Sequence, residues 1–265
     1  MGSATREATA ASRAALDAAG ASVNLGLAEE LFAAGRTIGS SLQLRTLLSE
    51  AAGDKESKRA AVRAVFGSSL TPTALTLLEA VVSGRWSSVD DMLAGIEDLG
   101  LRAVAASAPQ GADLEGELFS FGATVTSNAE LELALGSKLG DSAAKAALVD
   151  RLFTATMSRE ALAVVRHLVQ QPRGRRVGQL VRDAARTIAD ASGYIIATVT
   201  AAAPPTESQS SKLRQTLAAR YGREIKLNVV LDPALIGGLR VAIGNDIIDG
   251  SVATRIADLR LQLAG

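Results

Sequence analysis

No cysteine occurs in the 265 residues, which excludes disulfides, thiolate nucleophiles and cysteine-ligated zinc. The single histidine, His167, leaves no imidazole cluster for a metal. Aromatic side chains are scarce, with five Phe, two Tyr and one Trp. The core must therefore be built from aliphatic residues, and a core rich in Ala and Leu suits close-packed helices, where these residues lose little side-chain entropy. Neither sign of charge is in excess, because 28 basic residues balance 28 acidic ones. Nucleic-acid binders ordinarily carry a basic surplus, so that class is disfavoured. No run of about 18 apolar residues exists to span a membrane. The first twenty residues carry Arg6, Glu7, Arg13 and Asp17 with no apolar block, unlike a signal peptide. What remains, 48% hydrophobic and 21% charged, is the composition of a folded globular chain. Its length predicts two or three domains.

An internal repeat organises the first two thirds. Sliding the sequence by 87 positions brings Glu30-Leu31-Phe32 onto Glu117-Leu118-Phe119 and Gly35 onto Gly122 without a gap. Thr37, Leu44, Leu48, Asp54, Lys58 and Phe66 meet Thr124, Leu131, Leu135, Asp141, Lys145 and Phe153. Ala74, Leu75, Leu77, Leu78, Val81 and Val82 map onto Ala161, Leu162, Val164, Val165, Leu168 and Val169. That mask has the i, i+3, i+4, i+7 spacing of one helix face. A duplicated bundle with about four or five helices per copy is expected, with the same helix order near 28–106 and 115–193. Thr71-Pro72 and Ser158 mark helix starts. Ser88 with Asp91 reads as a capping box before a single stripe of Val89, Leu93, Ile96 and Ala103. Its counterpart carries Val177, Leu180, Val181, Ala184 and Ile188. Residues 107–113, with Pro109 and Gly111, connect the copies.

After Gly193 the period changes. Ile195–Val199 is β-branched and apolar, and Pro204-Pro205 ends it. Thr206 and Gln209 form a capping box for a helix with Leu213, Leu217 and Tyr221 on one face. Ile225–Leu231 alternates as a strand up to Asp232-Pro233. Strands at 239–243 and 246–248 flank Gly244-Asn245, a two-residue hairpin signal. Ser251 caps a final helix with Val252, Ile256, Leu259 and Leu263. The fold class is mainly α with a small α+β C-terminal unit. Two tandem helical bundles, 1–108 and 109–193, precede a β-α-β-β-β-α domain, 194–265.

The run Val230-Leu231-Asp232-Pro233-Ala234-Leu235-Ile236-Gly237-Gly238-Leu239-Arg240-Val241 resembles the C-terminal signature of the δ-subunit family of F-type ATP synthases. This is the bacterial equivalent of the oligomycin-sensitivity-conferring protein. Residues 244–252, Ala-Pro-Pro-Thr-Glu at 203–207 and Tyr221-Gly222-Arg223 are similar to the same family. The signature covers roughly the last 70 residues. Common members have one bundle, and this chain resembles a longer branch with the bundle duplicated. The resemblance implies a non-catalytic connector without a cofactor. Its bundle would bind the N-terminal helices of the head's α subunits, and its C-terminal part the b-type peripheral stalk. It would sit peripherally on the cytoplasmic side of the bacterial membrane, with neither nucleic acid nor direct membrane insertion. The alternative is a helical adaptor of another assembly.

The candidate chemistry agrees with that reading. Gly237, Gly238 and Gly244 flank apolar strands, and no Gly-Lys-Ser/Thr opens a helix, so a turn is expected instead of a phosphate loop. Asp249-Gly250-Ser251 reads as a turn into a helix cap. Together with Asp232 and Pro233, these are structural signature positions. No catalytic, cofactor-binding or metal residue is predicted. His167 is expected at a surface or bundle edge, and Arg173, Arg175 and Arg176 in a solvated loop, with an acidic partner segment as the alternative. Trp86 is read as a packing anchor or an interface hot spot. Asp90-Asp91 suits a helix N-terminus.

Overall fold

The computed structural model describes residues 2–50, 53–137, 140–235, 237–244 and 246–250. The chain forms two compact units, 1–188 and 189–265. Eleven helices run from the start of the chain: α1 Ser3–Ala19, α2 Leu25–Ser40, α3 Leu42–Ser49, α4 Lys55–Phe66, α5 Pro72–Ser83, α6 Val89–Ser107, α7 Leu114–Thr126, α8 Ala129–Gly136, α9 Ser142–Phe153, α10 Arg159–Gln170 and α11 Val177–Ala191.

The repeat is visible in the helix bounds. Shifting α3, α4 and α5 by 87 residues lands on α8, α9 and α10 at both ends. The caps repeat as well. Ser41 and Asn128 accept from Leu44 N and Leu131 N, Asp54 and Asp141 from Ser57 N and Ala144 N, and Thr71 and Ser158 from Ala74 N and Ala161 N. Each cap satisfies one N–H that a helix start leaves open. Lys58 and Lys145 are buried, and their Nζ groups donate to the carbonyls of Glu50 and Ser137 at equivalent loops. Glu30 accepts from Thr71 N, and its counterpart Glu117 from Ser158 N.

Helix α6 departs from the single stripe expected of it. Met92, Leu93, Gly95, Ile96, Glu97, Leu99, Gly100, Leu101, Ala103 and Val104 are all buried, as befits a helix packed around most of its circumference, with one half-buried stripe of Asp91, Ala94, Asp98, Arg102 and Ala105. The same shift explains why. Residues 3–19 map onto 90–106, so α1 of the first copy corresponds to α6. The buried residues of α1, Thr5, Ala8, Ser12 and Leu16, fall on buried Met92, Gly95, Leu99 and Ala103. Thus α6 closes the first six-helix set, α1–α6, and opens the second, α6–α11. Two glycines make room for its neighbours. A Cβ at Gly95 would lie 2.3 Å from the Trp86 ring, and one at Gly100 2.3 Å from the Phe32 ring. Trp86 is buried, with its indole N–H on the Val81 carbonyl at 2.8 Å. The Ser88 cap on Asp91 N is present, but the Asp91 carboxylate accepts from Thr5 Oγ1 at 3.0 Å, which fastens α1 to α6.

The second unit holds β1 Tyr194–Ala201, α12 Glu207–Tyr221, β2 Glu224–Leu231, β3 Leu239–Ile243 and β4 Asp246–Asp249. The sheet order is β2-β1-β3-β4, with β1 parallel to β2 and the other pairs antiparallel. Because β1 and β2 are parallel, α12 serves as their crossover. Its capping box between Thr206 and Gln209 is closed in both directions. Leu217 packs with Ala197, Val199, Ile225, Val241 and Ile243, and Leu213 and Tyr221 lie against that core. Ile243 pairs with Asp246 across the hairpin, where Gly244 has φ +58°. The final helix expected from Ser251 lies outside the described residues.

Candidate functional site

Two features of the helical unit bear on function, a surface groove and a buried ionic junction. The groove lies between α1 and α5, encloses about 310 Å³, and is lined by Ala15, Ala18, Ala19, Pro72, Thr73, Thr76 and Leu77. Small residues keep its walls low. Helix α1 is held by Ser87 N on Thr5 Oγ1 at 3.1 Å, and by Arg13, whose Nε and Nη2 grip Asp98 at 2.9 and 2.7 Å. At the 87-residue shift the wall residues become Arg102, Ala105, Ala106, Arg159, Glu160, Ala163 and Val164. There Ala163 and Val164 are buried, whereas Thr76 is exposed. The groove is a property of the first copy.

The junction is centred on Glu97, at the middle of α6. Arg175 Nη2 contacts both of its oxygens at 2.9 Å, Arg173 Nη2 contacts Oε2 at 2.8 Å, and His167 Nε2 lies 3.3 Å from Oε2. His167 Nδ1 is 3.4 Å from Arg36 Nη1. One tautomer suits these contacts: Nε2–H donates to Glu97, and Nδ1 accepts from the guanidinium. Burial lowers the His167 pKa, and the charges of Arg36 and Arg173 add to this against the pull of Glu97, so the ring is neutral at pH 7. Burial alone would push the Glu97 carboxyl up. The His167 hydrogen bond and the Arg173 and Arg175 charges outweigh it and hold the pKa at about 2. His167 also stacks on Phe32, with ring centroids 4.1 Å apart and planes 10° apart.

These contacts correct two expectations. His167 is not at a surface, since only 2% of it is exposed. Arg173 and Arg175 are not solvated loop residues, because both fold back onto Glu97. Arg173 adopts φ +48° beside Gly174 at +77°, a conformation that costs a non-glycine residue about 1–2 kcal/mol. The reason is long-range: His167 belongs to the second copy, while Glu97, Phe32 and Arg36 come from helices of the first. The Glu97 position carried one unused signal. It lies on the stripe Leu93, Ile96, Glu97, Gly100 and Val104, where a carboxylate among apolar neighbours needs a partner. Asp90 and Asp91 sit in the first turn of α6, as expected of acidic residues.

In the second unit the signature residues form turns. Asp232 N donates to the Ala201 carbonyl, and Asp232 Oδ1 accepts from Ala234 N, both at 2.9 Å. Gly237 and Gly238 have φ +65° and +81°. Pro233 follows within the same turn, Asp249 ends β4, and Gly250 N donates to the Leu239 carbonyl. Ser251 lies outside the described residues. Among the described residues, no group of three or more His, Asp or Glu could hold a metal. No described helix is long and apolar enough to cross a membrane.

A large helical unit built on a repeated pattern, followed by a small α+β unit, defines a two-part, mainly α protein. The chain belongs to the ATP synthase delta (OSCP) subunit family, whose model matches residues 100–263. It is 52% identical over all of both chains to the ATP synthase subunit delta of Leifsonia xyli. It is 37% identical to that of Pseudarthrobacter chlorophenolicus, again over both full lengths. A chain in a Toxoplasma gondii mitochondrial ATP synthase hexamer aligns with TM-score 0.41 and 18% identity, covering 63% of this chain and 95% of that one. The assignment does not rest on that distant likeness.

Proposed function

We propose that the chain is the stator connector of an F-type ATP synthase, joining the catalytic head to the b-type peripheral stalk and resisting rotation of the head during ATP synthesis. The observation that carries this reading is the full-length 52% identity to an ATP synthase subunit delta. In this reading the helical unit binds an N-terminal helix of the α subunits. The α1–α5 groove is the site, because its small residues admit the apolar face of an amphipathic helix. The β-containing unit binds the far end of the stalk. Rotor torque then drives nucleotide-site changes on other subunits, and this chain performs no catalysis. Attachment to the complex would hold it peripherally on the cytoplasmic side of the membrane. The division into copies 1–108 and 109–193 and a tail 194–265 belongs to the same proposal. So does the role of Asp232, Pro233, Gly237, Gly238, Gly244, Asp249, Gly250 and Ser251 in shaping the tail.

The test titrates an α-subunit N-terminal peptide and the C-terminal segment of the b-type subunit against the full chain and a chain truncated after Ser192. The truncated chain should keep the first partner and lose most binding to the second. Ala18→Glu should abolish peptide binding, while the counterpart Ala105→Glu should spare it. Loss of α-peptide binding on truncation, with stalk binding intact and helicity preserved, would reverse the assignment. ATP hydrolysis by the purified chain would refute the non-catalytic role.

A further inference from the structure

A second groove in the helical unit, about 520 Å³, lies in the second copy between α8 and the loop joining α10 to α11. One wall is a single face of α8, because Ala129, Glu132, Leu133 and Gly136 stand at i, i+3, i+4 and i+7. The other wall is Pro172, Arg176 and Val177. The first copy shows what this face does inside a repeat. Arg45 and Asp90, the counterparts of Glu132 and Val177, line a cleft whose other side is Ser142, Gln170 and Pro172 of the second copy. After α11 the chain turns into β1, so no third copy follows to do the same for Glu132 and Val177. The end copy of a tandem array ordinarily turns a polar face outwards. Here the change runs the other way. Thr46, Arg85 and Asp90 of the first copy become Leu133, Pro172 and Val177, against one opposite change, Leu42 to Ala129. Leu133 is 74% exposed. Apolar surface gained at an open end and rimmed by charges marks a contact site.

We propose that this groove docks one amphipathic helix of a partner protein, its apolar stripe on Leu133 and Val177, with a basic residue beside Glu132 and an acidic one beside Arg176. The charges select the partner. Glu132 and Arg176 stand on opposite walls, and neither has an ion pair among the described residues. Of the three loop arginines, Arg173 and Arg175 are held by Glu97, which leaves Arg176 to meet an acidic group. The walls are a helix and a loop, with no strand edge to pair an extended segment, whereas a helix brings its backbone groups already paired. With eight residues, α8 is about 12 Å long, so the partner contributes about two turns. So small a contact falls well short of the roughly 1,200 Å² that a stable dimer buries. That disfavours a second copy of this chain and fits a helix tethered by other attachments. The site does not depend on which partner the α1–α5 groove takes.

The test is an NMR titration of the isotope-labelled full chain with three helical peptides that share one leucine stripe. The first carries Glu on one flank of the stripe and Lys on the other, the second Glu on both flanks, and the third Lys on both. Weak but saturable shifts at 129–137 and 172–177 are expected, with the mixed peptide tightest by about threefold. Leu133→Gln should weaken it about tenfold, while the counterpart Thr46→Gln should leave it unchanged. Glu132→Lys should make the all-Glu peptide the tightest, and Arg176→Glu the all-Lys peptide. Leu133, Thr46 and Arg176 are exposed, so these variants keep their fold. Should Glu132→Lys fail to fold by circular dichroism, Arg176→Glu decides. Absence of saturation, equal affinity for the three peptides in every variant, or indifference to Leu133→Gln would overturn the proposal. Shifts at 15–19 and 72–77 instead would place the peptide in the α1–α5 groove and overturn it as well. A dimer in sedimentation that Leu133→Gln dissociates would give the groove to a second copy, against the proposal.

Discussion

Arg63 pairs with Glu79 across α4 and α5 in the first helical copy, and 87 residues on Asp150 pairs with Arg166 across α9 and α10. The contact is the same with its charges exchanged. Around it the caps, the buried lysines and the Phe66 and Phe153 anchors keep their places. The α1–α5 groove, by contrast, has Ala15, Pro72 and Thr73 replaced by Arg102, Arg159 and Glu160 in the second copy, and Trp86 has become Arg173. The difference teaches that packing and capping constrain both copies alike, while surfaces diverge according to what each touches. In the second copy the opening helix is α6, already committed to the first. That sharing leaves Glu97 buried between the copies, where it needs the arginines and the histidine that the second copy supplies.

The largest effect should come from breaking that junction. Glu97→Ala leaves Arg173 and Arg175 without their buried counter-charge and should destabilise the helical unit by roughly 3–5 kcal/mol, read by urea unfolding. Next comes acid. Glu97 has its pKa lowered from 4.5 to about 2 on folding, so its stabilisation is present above pH 4.5 and lost as pH falls towards 2. The loss is about 3 kcal/mol. His167 is also lowered from its ordinary 6.5, so stability begins to fall as pH drops below 6.5, when the unfolded chain takes up the proton first. Glu97→Gln should remove the lower part of this acid dependence, and thermal scans from pH 7 to 2.5 would show whether it does.

Gly238→Val contrasts the two units. At φ +81° a β-branched side chain is strained by about 1–2 kcal/mol or more. Proteolysis around Asp232 should accelerate, while the helical unit resists as before. Thr71→Ala and Ser158→Ala compare the copies directly. Each removes one N-cap, costing about 1 kcal/mol, and equal losses in Tm would mean the caps serve both copies in the same way. The smallest effect is expected from exchanging Arg63 and Glu79 for Asp and Arg, the arrangement of the second copy. The exchange should leave Tm nearly unchanged, whereas Arg63→Asp alone should lower it slightly.

The duplication was legible in the sequence as a repeated apolar mask, and the helix starts, the β-α-β-β-β succession of the tail and the Thr206 capping box because each follows from spacing within a few residues. Apolar periodicity selects a face, and a hydroxyl or carboxylate three residues ahead of an open N–H selects a start. The identity matches at Asp54, Lys58 and Phe66 mark positions where both copies need the same contact. The charge exchange at Arg63 and Asp150 is invisible to a comparison by identity, which does not register a reversed pair. The burial of His167 and the inward fold of Arg173 are hidden from the sequence for a different reason. Their partner Glu97 lies 70 or more residues away, and nothing in the local pattern of α10 or its loop encodes that distance. By itself the sequence determined two copies of one helical pattern and an α+β tail, through local propensity and periodicity. Only the tertiary structure decided that the copies share α6, and with it which charges are buried. A helix reused by two bundles keeps only a narrow half-buried stripe, so a polar group elsewhere on it must be neutralised by whichever neighbour the fold brings there.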